Sequence, residues 1–231
     1  MMRTFVLASN NKKKIAEFGT ILTSFSSDIQ VLPISDIDFT GDIEENGTSF
    51  EENSLIKALV PAGMGYIGMA DDSGLTVDAL DGAPGIYSAR YAGKTGDDSN
   101  KDQANRELLL ANLQDVPEEK RGGAFVCVIT MVFPAESGLT VPESYRISED
   151  LAKKYGVDPA SVLSIRGESR GTIGYEEIGD GGFGYDCLFR CPAYEGRTFA
   201  EITQEEKNAV SHRGRAMEIL RCALAEMHLG E

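Results

Sequence analysis

Two adjacent aspartates place the strongest constraint on how this chain can fold. Asp71 and Asp72 follow the apolar run 66–70, which is typical of a strand, and lead directly into Ser73. Removing carboxylates from water is costly unless a cation or hydrogen-bond donors compensate. An acid pair at the end of a buried strand therefore predicts a metal site, where one aspartate binds the cation and the other orients or deprotonates a water. The alternative is a pair that only caps the following turn.

Length and charge restrict the class of protein. The 231 residues suit one large domain or two small lobes. A net charge of −15 argues against binding to duplex nucleic acid, because a protein that binds a duplex normally presents a basic surface to it. The charge still allows a small phosphorylated substrate, which a local basic cluster or a cation can bind. No apolar run approaches the roughly 20 residues that span a bilayer, and the first residues lack a secretory signal. We therefore expect a cytoplasmic protein with neither a nucleic-acid nor a membrane partner.

The cysteines do not indicate a zinc site. None of the four forms a CxxC pair, and the chain has only two histidines. Cys127 lies in an apolar run and is expected to be a core residue. This usage fits a reducing compartment. The four are Cys127, Cys187, Cys191 and Cys222.

Strand and helix patterns alternate along the chain, which predicts an α/β fold with a mixed sheet. The predicted strands are 3–8, 29–34, 66–70, 123–133 and 171–178, and the run 123–133 is expected to be central. The predicted helices are 13–25, 50–60, 98–113, and two within 203–227 that an irregular segment at 211–213 separates. Thr48 or Ser49 is expected to cap the second helix, and Pro61 to interrupt it. Residues 135–165 are interpreted as an inserted helical excursion within a single domain.

Two basic or amide-rich segments are candidates for binding phosphate. The first lies between a strand and a helix, where backbone N–H groups at the helix N-terminus favour anions; it is not a Walker A loop. In the second, Asn53 and Lys57 are four residues apart and share a helix face, and Glu45 precedes them in an acidic loop. A solvated turn and a solvated helix are the respective alternatives. The first segment comprises Ser9, Asn10, Asn11, Lys12, Lys13 and Lys14.

Two further segments are candidates for binding a nucleobase. The glycine-rich run 181–186 holds Phe183 and Tyr185, whose rings can stack on a base, and Asp186, which can accept from a base edge or a ribose hydroxyl. His212 and Arg213 are donors suited to an exocyclic oxygen such as O6 of a 6-oxopurine. The alternatives are a hairpin-like loop with core aromatics and a surface loop between helices.

Together and in this order, the motifs resemble the inosine triphosphate pyrophosphatase family of non-standard purine nucleoside triphosphate pyrophosphatases. The resemblance extends from Val6 to about Ala225, apart from the 135–165 excursion. The phosphate motif T/S-x-N-x-x-K appears at 9–14, and the acidic helix motif at 45–57. DDSGL is intact at 71–75, PGIYSARYAG follows at 84–93, and FGYD is intact at 183–186.

The resemblance implies a role for each matched residue. Ser9, Asn10, Asn11, Lys12, Lys13, Lys14, Lys57 and Ser73 would contact the phosphates. Glu45 and Asp72 would hold Mg²⁺ with Asp71 close by, and Asp72 would also be the general base. The base and sugar would contact Phe183, Gly184, Tyr185, Asp186, Lys207, His212 and Arg213.

The resemblance also implies an elongated two-lobed α/β fold with a central mixed β-sheet flanked by helices, an active site in the cleft between the lobes, and a homodimer. The expected reaction is hydrolysis of ITP, dITP and XTP to the monophosphate and pyrophosphate. The chain departs from the family at Cys187, where proline is common, and in the length of the 135–165 segment. The alternatives are a pyrophosphatase for pyrimidine or modified nucleotides and a non-catalytic nucleotide sensor.

Overall fold

The structure, a computed structural model, describes residues 2–93 and 98–230, without the side chains of 98–100. Six strands and six α-helices are found in these ranges, together with short 3₁₀ helices of one or two turns. The strands are β1 (Arg3–Leu7), β2 (Ile29–Pro33), β3 (Ile67–Val77), β4 (Gly122–Val132), β5 (Val162–Ile173) and β6 (Phe189–Arg190). The helices are α1 (Lys12–Thr23), α2 (Phe50–Gly63), α3 (Asp98–Asn112), α4 (Glu149–Tyr155), α5 (Gln204–Val210) and α6 (His212–Glu226).

The described strands form one mixed sheet in the order β2-β1-β3-β4-β5-β6. Strand β1 pairs in parallel with β2 and with β3, whereas β5 and β6 are antiparallel. Strand β4 is buried along nearly its whole length, as expected of a strand that is covered on both faces. The predicted mixed α/β fold and the central position of this strand are confirmed.

The chain divides into two compact units. Unit 1 comprises residues 1–72, 128–166 and 216–231, and unit 2 comprises 73–127 and 167–215. The unit boundaries fall inside β3, β4 and β5, so these strands contribute residues to both units. Cys127 is fully buried, as predicted. Within the described ranges, no helix has the length and apolar character needed to cross a bilayer.

Helix α2 begins as predicted but ends later. Ser49 is its N-cap, and its side chain accepts a hydrogen bond from the N–H of Glu52 at 3.1 Å. The expectation that Pro61 interrupts the helix is wrong, because the helix continues to Gly63. A proline in the last turn removes only one helical hydrogen bond, and Pro61 is itself buried in the packed face of α2.

Strand β3 runs through the two aspartates instead of ending before them. The predicted strand 66–70 becomes an eleven-residue strand in which Asp71 and Asp72 are central and buried. The strand tolerates them because each carboxylate has its own lysine partner, which offsets the cost of desolvation. The acid pair therefore lies within a strand and does not cap a turn.

The segment between β4 and β5 contains α4 and three single 3₁₀ turns, at Ala135–Ser137, Glu143–Tyr145 and Pro159–Ser161. Its last residues differ from the expected excursion, since β5 already begins at Val162 and not near 171. Helix α4 packs beside α2 in unit 1, where Ala152 shares a buried hydrophobic cluster with Leu55 and Ala58. The segment between β4 and β5 thus contributes to the core of unit 1.

Candidate active site

The turn before α1 is held by its own side chains. Asn11 is the N-cap, and its side-chain oxygen accepts from the backbone N–H groups of Lys13 and Lys14 at 3.0 and 3.3 Å. The Ser9 hydroxyl accepts from the N–H of Asn11 at 3.2 Å. Lys12 and Lys13 are exposed. The turn presents positive charge at a helix N-terminus, but Asn11 already uses two of the N–H groups that an anion would need.

Lys14 is the residue of this turn that reaches the aspartates. Its Nζ lies 2.8 and 2.9 Å from the two carboxylate oxygens of Asp71. The Asp71 side chain is 2% exposed and that of Lys14 is 25% exposed. Asn10 points elsewhere, since its side-chain oxygen accepts from the N–H of Ser35 at 3.2 Å. The pairing joins the first candidate segment to β3.

Asp72 has a different set of partners, all on or next to α2. Lys57 Nζ lies 3.2 Å from Asp72 Oδ1 and 3.2 Å from Glu45 Oε1, so one ammonium is shared by two carboxylates. Asn53 Nδ2 donates to Asp72 Oδ2 at 3.4 Å. We call Glu45, Asn53, Lys57 and Asp72 the Asp72 cluster. The shared face predicted for Asn53 and Lys57 is the face that meets Asp72.

Burial raises the pKa of the Asp72 carboxyl above its usual value. The charge of Lys57 acts in the opposite direction, and the negative charge of Glu45 reinforces the rise. A carboxylate whose pKa is raised holds a proton more readily, which suits a group that removes a proton from water.

The two neighbouring aspartates have separate partners for a simple geometric reason. Successive side chains on a strand point to opposite faces of the sheet. Asp71 therefore meets Lys14 of α1, whereas Asp72 meets Lys57 of α2. The two carboxylates are not equivalent and can have different roles.

The donor set of the Asp72 cluster fits a hard divalent cation. Glu45 and Asp72 supply carboxylate oxygens, and Glu45 keeps 32% of its side chain exposed. Mg²⁺ is usually held by one or two carboxylates together with waters and substrate phosphates, not by a complete protein cage. In the parts of the chain that the structure describes, no three metal-ligating side chains come together. The residues present therefore fit a cation that phosphate oxygens help to bind.

Ser73 follows the aspartates on β3 and belongs to unit 2. Its hydroxyl oxygen is buried, and no hydrogen-bond partner for it is found among the described residues. A buried hydroxyl without a partner is uncommon, because the lost hydration is then not replaced. Such a group is well suited to a ligand oxygen.

In unit 2, Asp186 organises the glycine-rich loop before β6. Its Oδ2 accepts from the backbone N–H of Phe183 at 2.9 Å and lies 2.5 Å from Lys207 Nζ. Both charged residues are buried, at 3% and 7% exposure. Gly182 has φ +76°, and a Cβ there would lie 2.2 Å from Asp186 Oδ2. The loop conformation therefore depends on glycine at this position.

Phe183 presents its ring to solvent from the glycine-rich loop. It is 79% exposed, and Lys207 Nζ lies 4.8 Å from the centre of its ring. Its free face can stack on a nucleobase.

The other two residues of the FGYD motif are held by the surrounding protein. Tyr185 is buried, and its hydroxyl donates to the carbonyl of Ser88 at 2.9 Å. The N–H of Gly184 donates to Asp102 at 3.0 Å, and its carbonyl accepts from Arg106 at 3.1 Å. Asp102 and Arg106 are one turn apart on α3, so this helix holds the loop at a single residue, Gly184.

His212 and Arg213 lie in the first turn of α6, because the break between α5 and α6 is confined to Ser211, whereas the sequence predicted an irregular segment over 211–213. The His212 ring stacks on Phe125 with ring centres 5.0 Å apart. Both side chains are half-buried.

Some residues of these groups were not predicted as site residues. Asn53, which the sequence places with Lys57 on a face that could meet phosphate, donates instead to Asp72, and Glu52 is not among the predicted site residues. Asp102 and Arg106 carried no signal that linked them to Gly184, which lies about 80 residues later. A signal for α2 is present in the sequence, since Glu52 and Asn53 are adjacent polar residues at the start of a helix that is otherwise largely apolar. Such a pair indicates polar side chains that need partners when the helix is buried.

Cys187, which replaces a common proline, is a buried thiol. Its Sγ lies 3.6 Å from Glu177 Oε2, and burial, followed by the Glu177 charge, raises the pKa of the thiol to about 11. The thiol therefore stays protonated at neutral pH.

The chain is similar to known proteins along nearly its whole length. The model of the Ham1 family matches residues 5–223. A dITP/XTP pyrophosphatase from Clostridium perfringens is 43% identical over 227 residues, which is 95% of this chain and 96% of that protein. A dITP/XTP pyrophosphatase from Yersinia pseudotuberculosis is 42% identical over 226 residues, covering 97% of this chain and all of that protein.

Solved structures show the same fold. The Ham1 protein of Staphylococcus aureus is 36% identical with a TM-score of 0.76, over 97% of this chain and 99% of that one. A HAM1 protein from Coxiella burnetii is 36% identical with a TM-score of 0.77, over 97% and 100% of the two chains. These similarities confirm the resemblance that the motifs predicted.

Proposed function

We propose that this chain, which belongs to the Ham1 family, hydrolyses non-standard purine nucleoside triphosphates to the nucleoside monophosphate and pyrophosphate. The proposed substrates are ITP, dITP and XTP. The relatives named above are dITP/XTP pyrophosphatases. The observation that carries the proposal is the Asp72 cluster, in which two carboxylates and a lysine meet at a buried position of β3. Such an enzyme removes damaged purines from the nucleotide pool.

The cation that best suits this cluster is Mg²⁺, held by Glu45 and Asp72. When bound, it would neutralise phosphate charge and stabilise the pyrophosphate leaving group. Asp71, whose side chain leaves β3 on the opposite face, would act through its ion pair with Lys14 and not as a ligand of the cation. Lys14 and Lys57, with the turn 9–13 and the Ser73 hydroxyl, would contact the triphosphate oxygens.

Asp72 is proposed as the general base. Its carboxylate takes a proton from water, the water oxygen forms a bond to the α-phosphorus, and the bond from that phosphorus to the bridging oxygen breaks to release pyrophosphate. The raised pKa of Asp72 supports this role, since a carboxylate that burial makes harder to ionise accepts a proton more readily. The hydrogen bond from Asn53 keeps one carboxylate oxygen oriented.

Selectivity for 6-oxopurines is proposed to come from unit 2. Phe183 would stack on the base, and Gly184 and the buried Tyr185 would shape the loop beneath it. Asp186 and Lys207 hold that loop, while His212 and Arg213 would donate to O6. Adenine carries an amino group there and would leave buried donors without partners, which discriminates strongly. Binding of one nucleotide by both groups of residues stays a prediction.

Release of pyrophosphate and of orthophosphate from ITP, dITP, XTP, GTP, ATP and dUTP tests the proposal. We expect pyrophosphate from ITP, dITP and XTP at rates at least about 100-fold above ATP. Equal rates for ATP and ITP, or single phosphates as product, would contradict it. Preferential turnover of dUTP would instead favour a pyrimidine-directed pyrophosphatase, and binding without turnover a nucleotide sensor.

We also propose that the chain acts in the cytoplasm as a homodimer, with both units in one pyrophosphatase domain and without a nucleic-acid or membrane partner. All four cysteines are thiols, which fits a reducing compartment. The net charge of −15 argues against binding to nucleic acid or anionic membranes. Light scattering of the purified protein tests the dimer.

A further inference from the structure

Glu52 is a buried carboxylate that the proposed reaction does not use. It lies in the first turn of α2 and is 2% exposed. One of its oxygens, Oε2, accepts from the N–H of Thr48 at 2.8 Å and from the Thr48 hydroxyl at 2.9 Å. The other, Oε1, accepts from the Tyr155 hydroxyl at 2.7 Å and contacts the Lys154 ammonium. The carboxylate therefore connects the loop before α2 to the end of α4.

The loop before α2 is fitted closely to this helix. The N–H of Gly47 donates to Asn53 Oδ1 at 2.9 Å, beside the bond that Glu52 makes to Thr48. A Cβ at Gly47 would lie 2.7 Å from Asn53 Oδ1 and 2.8 Å from Glu52 Cγ. Adjacent side chains of α2 thus fix two successive peptides of the loop. Glu45, the proposed metal ligand, is only two residues before Gly47.

The caps of α4 and its packing against α2 fix the position of the two residues that contact Glu52. Ser148 caps its first turn, and Gly156 ends it in a left-handed conformation at φ +65°. Its inner face packs with α2, where Ala152 and Leu55 belong to the same buried cluster. The last two residues of the helix, Lys154 and Tyr155, are the ones that reach Glu52.

We propose that α4, in the segment inserted between β4 and β5, is a positioning element for Glu45. Lys154 and Tyr155 orient the Glu52 carboxylate, Glu52 holds Thr48, and the loop held in this way places Glu45 next to Lys57 and Asp72. Lys154, Tyr155 and Glu52 are positioning residues, since they act through the loop. The assignment of Glu45 as a cation ligand rests on the proposed function; the mechanical link from α4 to the loop rests on contacts alone.

The charge states of the network support its geometry. Hydrogen bonds from Lys154, from the Thr48 backbone and from Tyr155 lower the pKa of Glu52 to about 2, against the opposing effect of burial. Burial and the bond to Glu52 raise the pKa of Tyr155 to about 12. Between these values Glu52 stays an ionised acceptor and Tyr155 stays a donor, so the network keeps its form over the physiological range.

The first test compares the double variant Lys154→Met/Tyr155→Phe with the control Lys153→Met. Lys153 is an exposed lysine of the same helix and makes no side-chain contact with Glu52 in the described structure. Hydrogen exchange of the amides at 46–48 is measured without nucleotide or metal. We expect at least about tenfold faster exchange in the double variant only, since charge-assisted hydrogen bonds that fix the loop are lost. Unchanged exchange there would overturn the proposal, as would equal acceleration in the control.

The second test measures Mn²⁺ binding to nucleotide-free protein by electron paramagnetic resonance. We expect the double variant to bind about tenfold more weakly than the control, as is usual when a residue that supports a metal ligand is lost. The single variant Lys154→Arg, which keeps the positive charge and retains Tyr155, should bind Mn²⁺ with most of the wild-type affinity. Wild-type affinity in the double variant would overturn the link to Glu45.

The two proposals fail separately. If the wild-type protein does not hydrolyse ITP or XTP, the proposed function is wrong, whereas hydrogen exchange at 46–48 still decides whether α4 holds the loop. Should the double variant fold poorly, Tyr155→Phe alone removes a single hydroxyl. We expect Tyr155→Phe to accelerate hydrogen exchange of the amides at 46–48 less than the double variant does. Exchange at the wild-type rate in Tyr155→Phe would contradict the proposal.

Discussion

The ammonium of Lys57 lies 3.2 Å from a carboxylate oxygen of Asp72 and 3.2 Å from one of Glu45. One cation therefore offsets two negative charges at a mostly buried position. Asp72 is still harder to ionise than a free aspartate, because burial outweighs the attraction of Lys57. This balance gives Asp72 the properties of a base, because Lys57 lowers its pKa while burial and the charge of Glu45 raise it.

Replacing Asp72 by Asn should remove turnover and leave the protein folded. The rate of pyrophosphate release from ITP is expected to fall by at least about 100-fold, because Asn cannot accept the proton. Since the pKa of Asp72 is raised above its value of 3.8, the ionised carboxylate destabilises the fold as the pH rises through the folded-state pKa. Asp72→Asn lacks this loss, so its unfolding temperature at pH 7.5 should equal or exceed that of the wild type. Near-normal turnover would remove Asp72 from the mechanism.

Lys57→Met should move the acidic limb of the pH–rate profile to higher pH. Lys57 lowers the pKa of Asp72, so its removal raises that pKa further and a higher pH is needed to ionise the base. A shift of about one pH unit or more in kcat/KM is expected for loss of a close opposite charge. Lys14→Met is the matched control, because Lys14 pairs with Asp71; it should lower the rate without moving the limb. An unmoved limb in Lys57→Met would argue that another group is the base.

Phe183→Ala should weaken substrate binding with little effect on stability. The ring is 79% exposed, so its removal should change the free energy of unfolding by less than about 0.5 kcal/mol. Loss of one base-stacking platform is worth about 1–3 kcal/mol, which predicts a KM for ITP higher by roughly 5- to 150-fold. Met64→Ala, an exposed apolar residue of unit 1, serves as the control. A KM unchanged by Phe183→Ala would show that the base stacks elsewhere.

Lys207→Met should destabilise the protein because it leaves the Asp186 carboxylate buried without its cation. Breaking a buried ion pair by removing one partner costs about 3–5 kcal/mol, measurable by urea denaturation. The double variant Lys207→Met/Asp186→Asn should be less destabilised than the sum of its single variants, since the unpaired charge is gone. Additive losses would mean that the two residues act independently despite their 2.5 Å separation.

Much of the fold could be predicted from local patterns. The alternation of strands and helices predicted the mixed α/β sheet, the continuous apolar run at 123–133 predicted the buried β4, and Ser49 was among the predicted caps. Two of the boundaries that differ from the prediction, those of β3 and α2, show tertiary contacts overriding local signals. Lysines from α1 and α2 allow β3 to continue through Asp71 and Asp72, and packing of α2 carries it past Pro61.

The candidate site likewise has features that local sequence patterns predict and features that depend on tertiary contacts. The residue types and their order in the chain by themselves determined the family, the acid pair, the lysine-rich turn and the aromatic loop. These features can be recognised because each consists of residues that are close together in the sequence, in short motifs. Only the tertiary structure decided which lysine serves which aspartate, that Tyr185 is a core residue, and that α4 reaches Glu52. These contacts join residues up to about 100 positions apart, and chain folding brings them together through packing and charge pairing that no local pattern records.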